Sequence, residues 1–429
     1  MKNGTVKLFD WGKFRWFETF ISIKFIYSRT KEDWLIELAR ILKEQGIDYG
    51  KLTEQWKIPL NKWDLSTHTV NATMALKSDA LALELLKTEF TDKTDLLYSI
   101  LEKYNGTPVG TFTGDECLSG LSPIQGTELC SVVELMYSYE WLYAFTGDEK
   151  WAQRLELAVF NALPAAISED MRTHQYDQQS NQISCEIFKG KPIFRTNSGE
   201  SHLFGLEPHF GCCTANFGQG WPKFALSAFM YNENTVVNAF PVPSELKTDK
   251  FVILLKTKYP FKNYFKYTVN SDTDFNFKIR IPSFAENVRV NGEILTDKEL
   301  GFEIKPCQNK VIEISYDIKP VLINRPYGLY TARCGSLVFS LPLKYEKRML
   351  EYTRGGVERK YPYCDYELKL KSDWNYAFCD GGFKIIRRDL GDFPFSESDP
   401  PVILKTKLCK IDWVLRTVMI MFVKRFRNH

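Results

Sequence analysis

One helical joint occurs twice in this chain. Over residues 11–45, Phe14, Phe17, Ile21, Phe25 and Ile26 keep helical spacing. Thr30-Lys31-Glu32-Asp33 then offers a capped start, and Trp34, Leu35, Leu38, Ile41 and Leu42 continue an apolar face as far as Gly46. A second pair of helices is read over 134–145 and 151–163, with Thr146-Gly147-Asp148 as the turn. The joints match: Tyr27-x-x-Thr30 leads to Trp34, and Tyr143-x-x-Thr146 leads to Trp151. Repeated helical hairpins stack on one another, which predicts a helical toroid rather than a simple bundle. Stretches 68–77, 79–87 and 95–104 between them are helical in pattern, and 217–231 would close a set of seven or eight helices before residue 232.

The period then changes. Short runs rich in β-branched and aromatic residues occupy 236–237, 251–255, 264–269, 275–281, 288–290 and 311–316, separated by turn signals at Pro282-Ser283, Asn291-Gly292 and Gln308-Asn309. They predict an antiparallel β-sandwich. Runs 337–341 and 366–370 add strands of a second small β unit. The expected architecture is therefore multidomain α and β: a toroid over 1–231, the sandwich over 232–325, the small β unit over 326–413 and a basic tail over 414–429.

Composition narrows the function classes. Lys+Arg number 56 against 53 Asp+Glu, so no bulk field favours nucleic acid. No stretch reaches the ~20 apolar residues needed to span a bilayer. Ten scattered cysteines do not make a disulfide scaffold. Sequons at Asn3, Asn71 and Asn105 matter only in a secreted protein. Abundant aromatics suit ring stacking on sugars and large packed cores alike.

Chemistry concentrates at His209-Phe210-Gly211-Cys212-Cys213-Thr214-Ala215-Asn216. Neighbouring side chains diverge in regular structure, so two adjacent thiols reach one target only where the backbone bends, and Gly211 permits a bend. Such a pair serves metal ligation, redox exchange or simple burial. Upstream, Glu128-x-Cys130 is expected at the irregular start of a helix. One carboxylate and three thiolates, Glu128, Cys130, Cys212 and Cys213, would make an S-rich tetrahedral zinc site. The plainer reading is a Glu placed favourably at a helix N-terminus and a buried Cys.

Asp115-Glu116, Gln125-Gly126-Thr127-Glu128-Leu129-Cys130, His174-Gln175-Tyr176-Asp177-Gln178-Gln179 and Phe210-Gly211-Cys212-Cys213-Thr214-Ala215-Asn216 resemble glycoside hydrolase family 127, the β-L-arabinofuranosidase family. Tyr259-Pro260-Phe261, Arg280-Ile281-Pro282 and 288–292 resemble its β-sandwich, and the likeness runs from about residue 8 to 413. The resemblance implies an (α/α)6 barrel, zinc held by Glu128, Cys130, Cys212 and Cys213, and retaining hydrolysis of an arabinose-containing glycan. By matching position, Cys212 would be the nucleophile and Glu116 the general acid/base. Glu116 precedes Glu128 by twelve residues, a shorter gap than in better-known members. His68, in Ser66-Thr67-His68-Thr69-Val70, resembles a sugar-contacting histidine; a capping or packing role is the alternative.

The family barrel has twelve helices, so the resemblance also implies that the N-terminal part of the barrel is lacking and that the activity of this chain is in doubt. Two other readings stay open. One is an inactive zinc-stabilised glycan-binding or structural fragment. The other is a toroid enzyme of another class, a sugar epimerase or lyase.

Overall fold

The computed structural model describes residues 7–89, 91–187, 193–205, 211–296 and 300–412. The basic tail expected over 414–429, the Asn3 sequon and the His209-Phe210 pair lie outside them.

Helices come first. α1 (Asp10–Phe14), α2 (Thr19–Thr30) and α3 (Asp33–Gln45) precede α4 (Thr69–Ala75), α5 (Ser78–Leu86) and α6 (Lys93–Asn105). A short ribbon of β1 (Gly126–Glu128) and β2 (Asp177–Gln179) brackets α7 (Leu129–Thr146) and α8 (Glu149–Leu157). α8 passes through one π turn, Ala158–Ala162, into α9 (Leu163–Ala165). α10 (Gly211–Leu226) packs along α7. Setting aside the five-residue α1 and three-residue α9, eight helices remain among the described residues.

The repeated joint has one chemistry in both places. Lys31 (φ 56°) and Gly147 (φ 64°) end α2 and α7 in the left-handed region, and each donates its N–H to a tyrosine carbonyl, Tyr27 or Tyr143. The hydroxyls of Thr30 and Thr146 donate back to Ile26 and Leu142, and accept the N–H of Glu32 and Asp148. Packing does not repeat. Trp151 is buried and stacks on Tyr139, whereas Trp34 is exposed. The buried face of α2 and the turn before it is Trp16, Phe17, Phe20 and Ile23; Phe25, expected on it, lies almost opposite Ile23, and both Phe25 and Ile26 are exposed. The cap before α3 is Glu32, not Thr30.

The chain turns to strands earlier than expected. α10 stops at Leu226, and β3 (Phe229–Asn232) pairs with β4 (Thr235–Asn238), so the end of the helix expected over 217–231 is a strand. Two sheets follow. β5 (Ser244–Lys247), β6 (Phe251–Thr257), β7 (Tyr264–Ser271), β9 (Glu286–Val290), β10 (Glu293–Ile294) and β12 (Cys307–Asp317) form one, in the order β10-β9-β12-β7-β6-β5. The other is ordered β11-β8-β4-β3, with β8 (Phe275–Ile279) and β11 (Leu300–Ile304). β4 and β8 run parallel, so the sheets are not antiparallel throughout as expected. Alternate residues of β7 and β8 are buried, and Phe251 on Phe275 and Tyr267 on Phe277 join the two sheets. Asn291-Gly292 is a turn with both φ positive, but Gln308-Asn309 is a bulge inside β12 rather than a turn. Beyond it, β13 (Pro320–Arg325) and β14 (Leu329–Cys334) form a hairpin across residue 325, extended by β15 (Leu337–Phe339). Further out, Tyr345–Leu350 pairs with Asp365–Leu370, and a Cys379–Cys409 disulfide ties two strands, a bridge the cysteine spacing did not reveal. Asn71 and Asn105 are buried, Asn105 between Trp56 and Gly120, which removes both sequons as glycan acceptors in the folded chain.

A buried ion network ties helices to sheets. Arg280, just past β8, pairs with Glu156, donates to Glu149 at 2.7 Å and to the Ala239 carbonyl at 2.6 Å. Glu156 also accepts from Tyr259 (2.6 Å) and Ser336 (2.7 Å). The π turn presents Asn161 to the backbone of Ser336 and Val338, both at 2.8 Å. Arg280→Met should leave the Glu156 carboxylate buried without its cation and cost about 3–5 kcal/mol. The double variant Arg280→Met/Glu156→Leu should recover part of the loss. Urea unfolding monitored by circular dichroism checks both; a single variant within about 1 kcal/mol of the parent would show the network to be dispensable.

Candidate functional site

Three separated stretches meet where two helices begin. β1 ends at Glu128, which is the N-cap of α7, and Cys130 is the second residue of that helix. Gly211, Cys212 and Cys213 open α10. The expected bend at Gly211 is not what brings both thiols to one place. Helical Cα–Cβ bonds tilt toward the N-terminus, so first-turn side chains lean into the same space beyond the helix end. One ligand atom from each of Glu128, Cys130, Cys212 and Cys213 lies within 4.8 Å of all the others. Cys130 and Cys213 sulfurs are 3.4 Å apart, and both are buried; Cys212 is exposed.

Two glycines allow the approach. A Cβ at Gly126 would sit 2.8 Å from the Asp177 carboxyl, across the β1–β2 ribbon. A Cβ at Gly114 would collide with the Thr69 hydroxyl. The α10 side is tied in by His174, whose Nε2 lies 2.8 Å from the Thr214 hydroxyl.

Glu116 adjoins this cluster. Its backbone has φ 140°, a region that costs a non-glycine residue of order 1–3 kcal/mol. The loop is held there from both sides: Thr69 N–H donates to the Glu116 carbonyl (2.7 Å), and Cys117 N–H donates to Thr196 (3.1 Å). Buried Asp115 accepts from the Arg195 and Thr196 N–H groups. The Glu116 Oε2 accepts from Trp63 Nε1 at 3.1 Å and faces His68 Nε2 at 3.5 Å. Its Oε1 accepts from the Tyr176 hydroxyl, which also lies 3.1 Å from Glu128 Oε1. His68, Glu116 and Glu128 make a second close group, so Glu128 belongs to both. His68 is 4% exposed, and its Nδ1 accepts the Asn71 N–H as the cap of α4. That bond assigns the remaining proton to Nε2, aimed at Glu116. His68 therefore has the capping role, and its free edge meets Glu116.

The electrostatics follow from burial and crowding. Burial and the Glu116 charge push the Glu128 carboxyl well above the usual range. Burial, with Asp115 and Glu128 nearby, does the same to Asp177. Burial also acts upward on Glu116, but bonds from His68, Tyr176 and Trp63 outweigh it and hold the carboxyl below its ordinary value. The Cys212 thiol is drawn down to about 3 by hydrogen bonds from Cys130 and Cys213, while those two are pushed up. A position in the first turn of a sixteen-residue helix favours a thiolate in the same sense.

The donors fit zinc. Sulfur ligands at a tetrahedral zinc, with Zn–S about 2.3 Å, stand roughly 3.8 Å apart, close to what these thiols show. Glu128 Oε2 is buried without a hydrogen-bond partner among the described residues, an acceptor oxygen that a cation would satisfy. Tyr176 and Trp63 carried no assigned role in the sequence. Tyr176 stood inside a quoted motif; Trp63, in Asn-Lys-Trp-Asp, gave no signal of spacing. A groove of about 2450 Å³ lies elsewhere, lined by Gln178, Tyr330 and Phe395 among others but not by Glu116, Cys130, Cys212 or Cys213.

No protein-family model matches the chain, and no curated protein matches it at a significant level. Solved structures do. A β-L-arabinofuranosidase of glycoside hydrolase family 127 from Geobacillus stearothermophilus T6 superposes with TM-score 0.59 at 13% identity, over 82% of this chain and 69% of that one. A glycoside hydrolase gives 0.56 at 14%, over 82% and 72%. Another family 127 β-arabinofuranosidase gives 0.55 at 17%, over 82% and 65%. The fold is that of glycoside hydrolase family 127. At such identities the likeness speaks for the family 127 fold and leaves the chemistry to the residues.

In reduced, metal-free protein, Cys212 should react with iodoacetamide at pH 6 ahead of every other cysteine. A thiol of ordinary pKa near 8.5 is under about 1% ionised there. Peptide mass mapping across pH 5–8 checks this. A Cys212 rate that climbs about tenfold per pH unit throughout would mark an ordinary thiol and contradict the lowered value.

Proposed function

We propose that this chain carries the site of a retaining glycoside hydrolase of the β-L-arabinofuranosidase type, acting on an arabinose-containing glycan. The observation that carries the reading is the convergence of Glu128, Cys130, Cys212 and Cys213 within one coordination distance, with Glu116 alongside. The same reading takes the helices as part of an (α/α)6 toroid and the two sheets as a sandwich. An inactive metal-stabilised protein needs neither an exposed Cys212 nor a strained Glu116 beside it.

Glu128, Cys130, Cys212 and Cys213 would hold zinc, which when bound supplies the positive charge that keeps thiolates ionised. Cys212 is the nucleophile: its sulfur lone pair bonds to the anomeric carbon as the glycosidic C–O bond breaks, and the leaving oxygen takes its electron pair and a proton from Glu116. Glu116, now anionic, takes a proton from water. The water oxygen bonds to the anomeric carbon and Cys212 departs as thiolate, so the configuration is retained. Tyr176 and Trp63 fix the two oxygens of Glu116 through these exchanges.

In the free site Glu116 is held anionic, which suits its second task and requires proton uptake before the first. Alkyl glycosides, whose leaving oxygen needs that proton, should therefore lose rate as pH rises through neutrality, while aryl glycosides lose less. Glu116→Gln should slow alkyl glycosides by about 10²-fold or more and aryl glycosides much less. Equal losses on both would count against Glu116 as the acid.

Cys212→Ser should abolish turnover of aryl β-L-arabinofuranoside, and mass spectrometry of the parent protein with a slow substrate should show one sugar on Cys212. Turnover retained in Cys212→Ser, or sugar on another residue, would overturn the mechanism. Release of an epimer or an unsaturated sugar would assign the site to the other enzyme classes.

A further inference from the structure

Two half-exposed indoles stand beside the candidate acid/base, at the carboxyl oxygen opposite the one that faces Tyr176. Trp11 and Trp63 are each 41% exposed. Their rings meet edge to face at 5.8 Å, and both pack on His68, at 5.0 and 5.9 Å, so together they roof that buried imidazole. The pair is fixed at both ends. Trp63 Nε1–H is bonded to Glu116 Oε2. The Arg15 guanidinium lies 4.6 Å over Trp11 and is itself held by Asn71, the residue whose N–H His68 caps. Tyr176 and the thiol cluster are reached through the other oxygen of Glu116.

We propose that Trp11 and Trp63 form the stacking platform for the leaving-group sugar ring, and that they make the site select a glycan over a simple glycoside. This rests on the reading of Glu116 as acid and Cys212 as nucleophile. An acid that protonates the leaving oxygen lies between the sugar being transferred and the group it departs with. The thiol cluster marks the first side, so the indoles mark the second. Exposed aromatic faces pack against the C–H faces of sugar rings, and pre-positioned rings lose little freedom on doing so. Trp11 is not needed to fill a core: α1, which carries it, buries no residue.

The test compares kcat/KM for an arabinofuranosyl disaccharide with that for methyl β-L-arabinofuranoside. Both have alkyl leaving groups, and only one has a ring to stack. In the parent protein the disaccharide should be preferred, and Trp11→Ala should lower that preference about tenfold. Trp63→Phe keeps the ring and should keep most of the preference; Trp63→Ala should not. An unchanged ratio in both alanine variants would overturn the platform, as would a parent protein with no preference. Calorimetric binding to the Cys212→Ser protein separates this result from the fate of the mechanism. The disaccharide should bind about tenfold tighter than arabinose, an advantage lost with Trp11→Ala. If the parent turns over neither glycoside yet shows this binding difference, the hydrolase reading fails and the platform stands. If turnover occurs without the difference, the platform fails and the hydrolase reading stands.

Discussion

Acidic groups crowd at one buried point, and the rest of the site is arranged around that cost. Glu128, Asp177, Glu116 and three thiols lie together where water is excluded from most of them. The N-termini of α7 and α10 both end there, each bringing roughly half a positive charge, and their packing against one another aims the two ends at the same place. Two half charges do not balance such a cluster. Glu128 and Asp177 are consequently pushed toward their neutral forms, and Cys130 and Cys213 give up hydrogen bonds to a single favoured thiolate at Cys212. A divalent cation would relieve these strains together, and the donor set is compatible with one.

How much of this was written legibly in the sequence depends on distance along the chain. The helical joint at Tyr27 to Lys31 and at Tyr143 to Gly147 is local chemistry, a threonine hydroxyl and a left-handed residue, and so it shows in the sequence twice. Which face is buried is not local: Phe25 and Trp34 obey helical spacing and are exposed, because burial depends on neighbours the spacing does not name. Gln308-Asn309 carries the composition of a turn, yet Lys310 onward re-enters the ladder with β7 and converts it to a bulge. The convergence of Glu128, Cys130, Cys212 and Cys213 was legible because Glu-x-Cys and Cys-Cys are unusual pairs. Trp63 was not, since its bond to Glu116 spans 53 residues and leaves no periodic trace.

Helices and sheets are joined by charge as well as by apolar contact. Arg280 reaches back from the end of β8 to Glu149 and Glu156 on α8, and the π turn that follows α8 hands Asn161 to the strand at Val338. α8 belongs to the same hairpin as α7, whose first residues bear the candidate ligands. The buried network therefore bears on the site indirectly, by fixing the second arm of the hairpin that presents Glu128 and Cys130.

One link between the candidate ligand quartet and the candidate acid/base is the Tyr176 phenolic proton. Tyr176 stands between Glu116 Oε1 and Glu128 Oε1 and has one hydrogen to offer. The Glu116 and Glu128 carboxyls and the Cys212 sulfur all draw on it. A cation at Glu128 would meet that carboxyl's need and leave the proton to Glu116, whose other oxygen is already bonded to Trp63. Hydrogen bonds donated to an anionic carboxylate favour the anion, so loading the quartet would hold Glu116 more firmly in its anionic form. The same loading raises the positive charge nearby and disfavours proton uptake. The first half of the proposed reaction must draw its proton against both effects, and a sugar that displaces water around Glu116 works in the opposite direction, because desolvation raises a carboxyl. On the proposed mechanism, substrate binding would turn a resting base into an acid, and the indoles that pack on His68 stand beside the carboxyl whose water such a ring would displace.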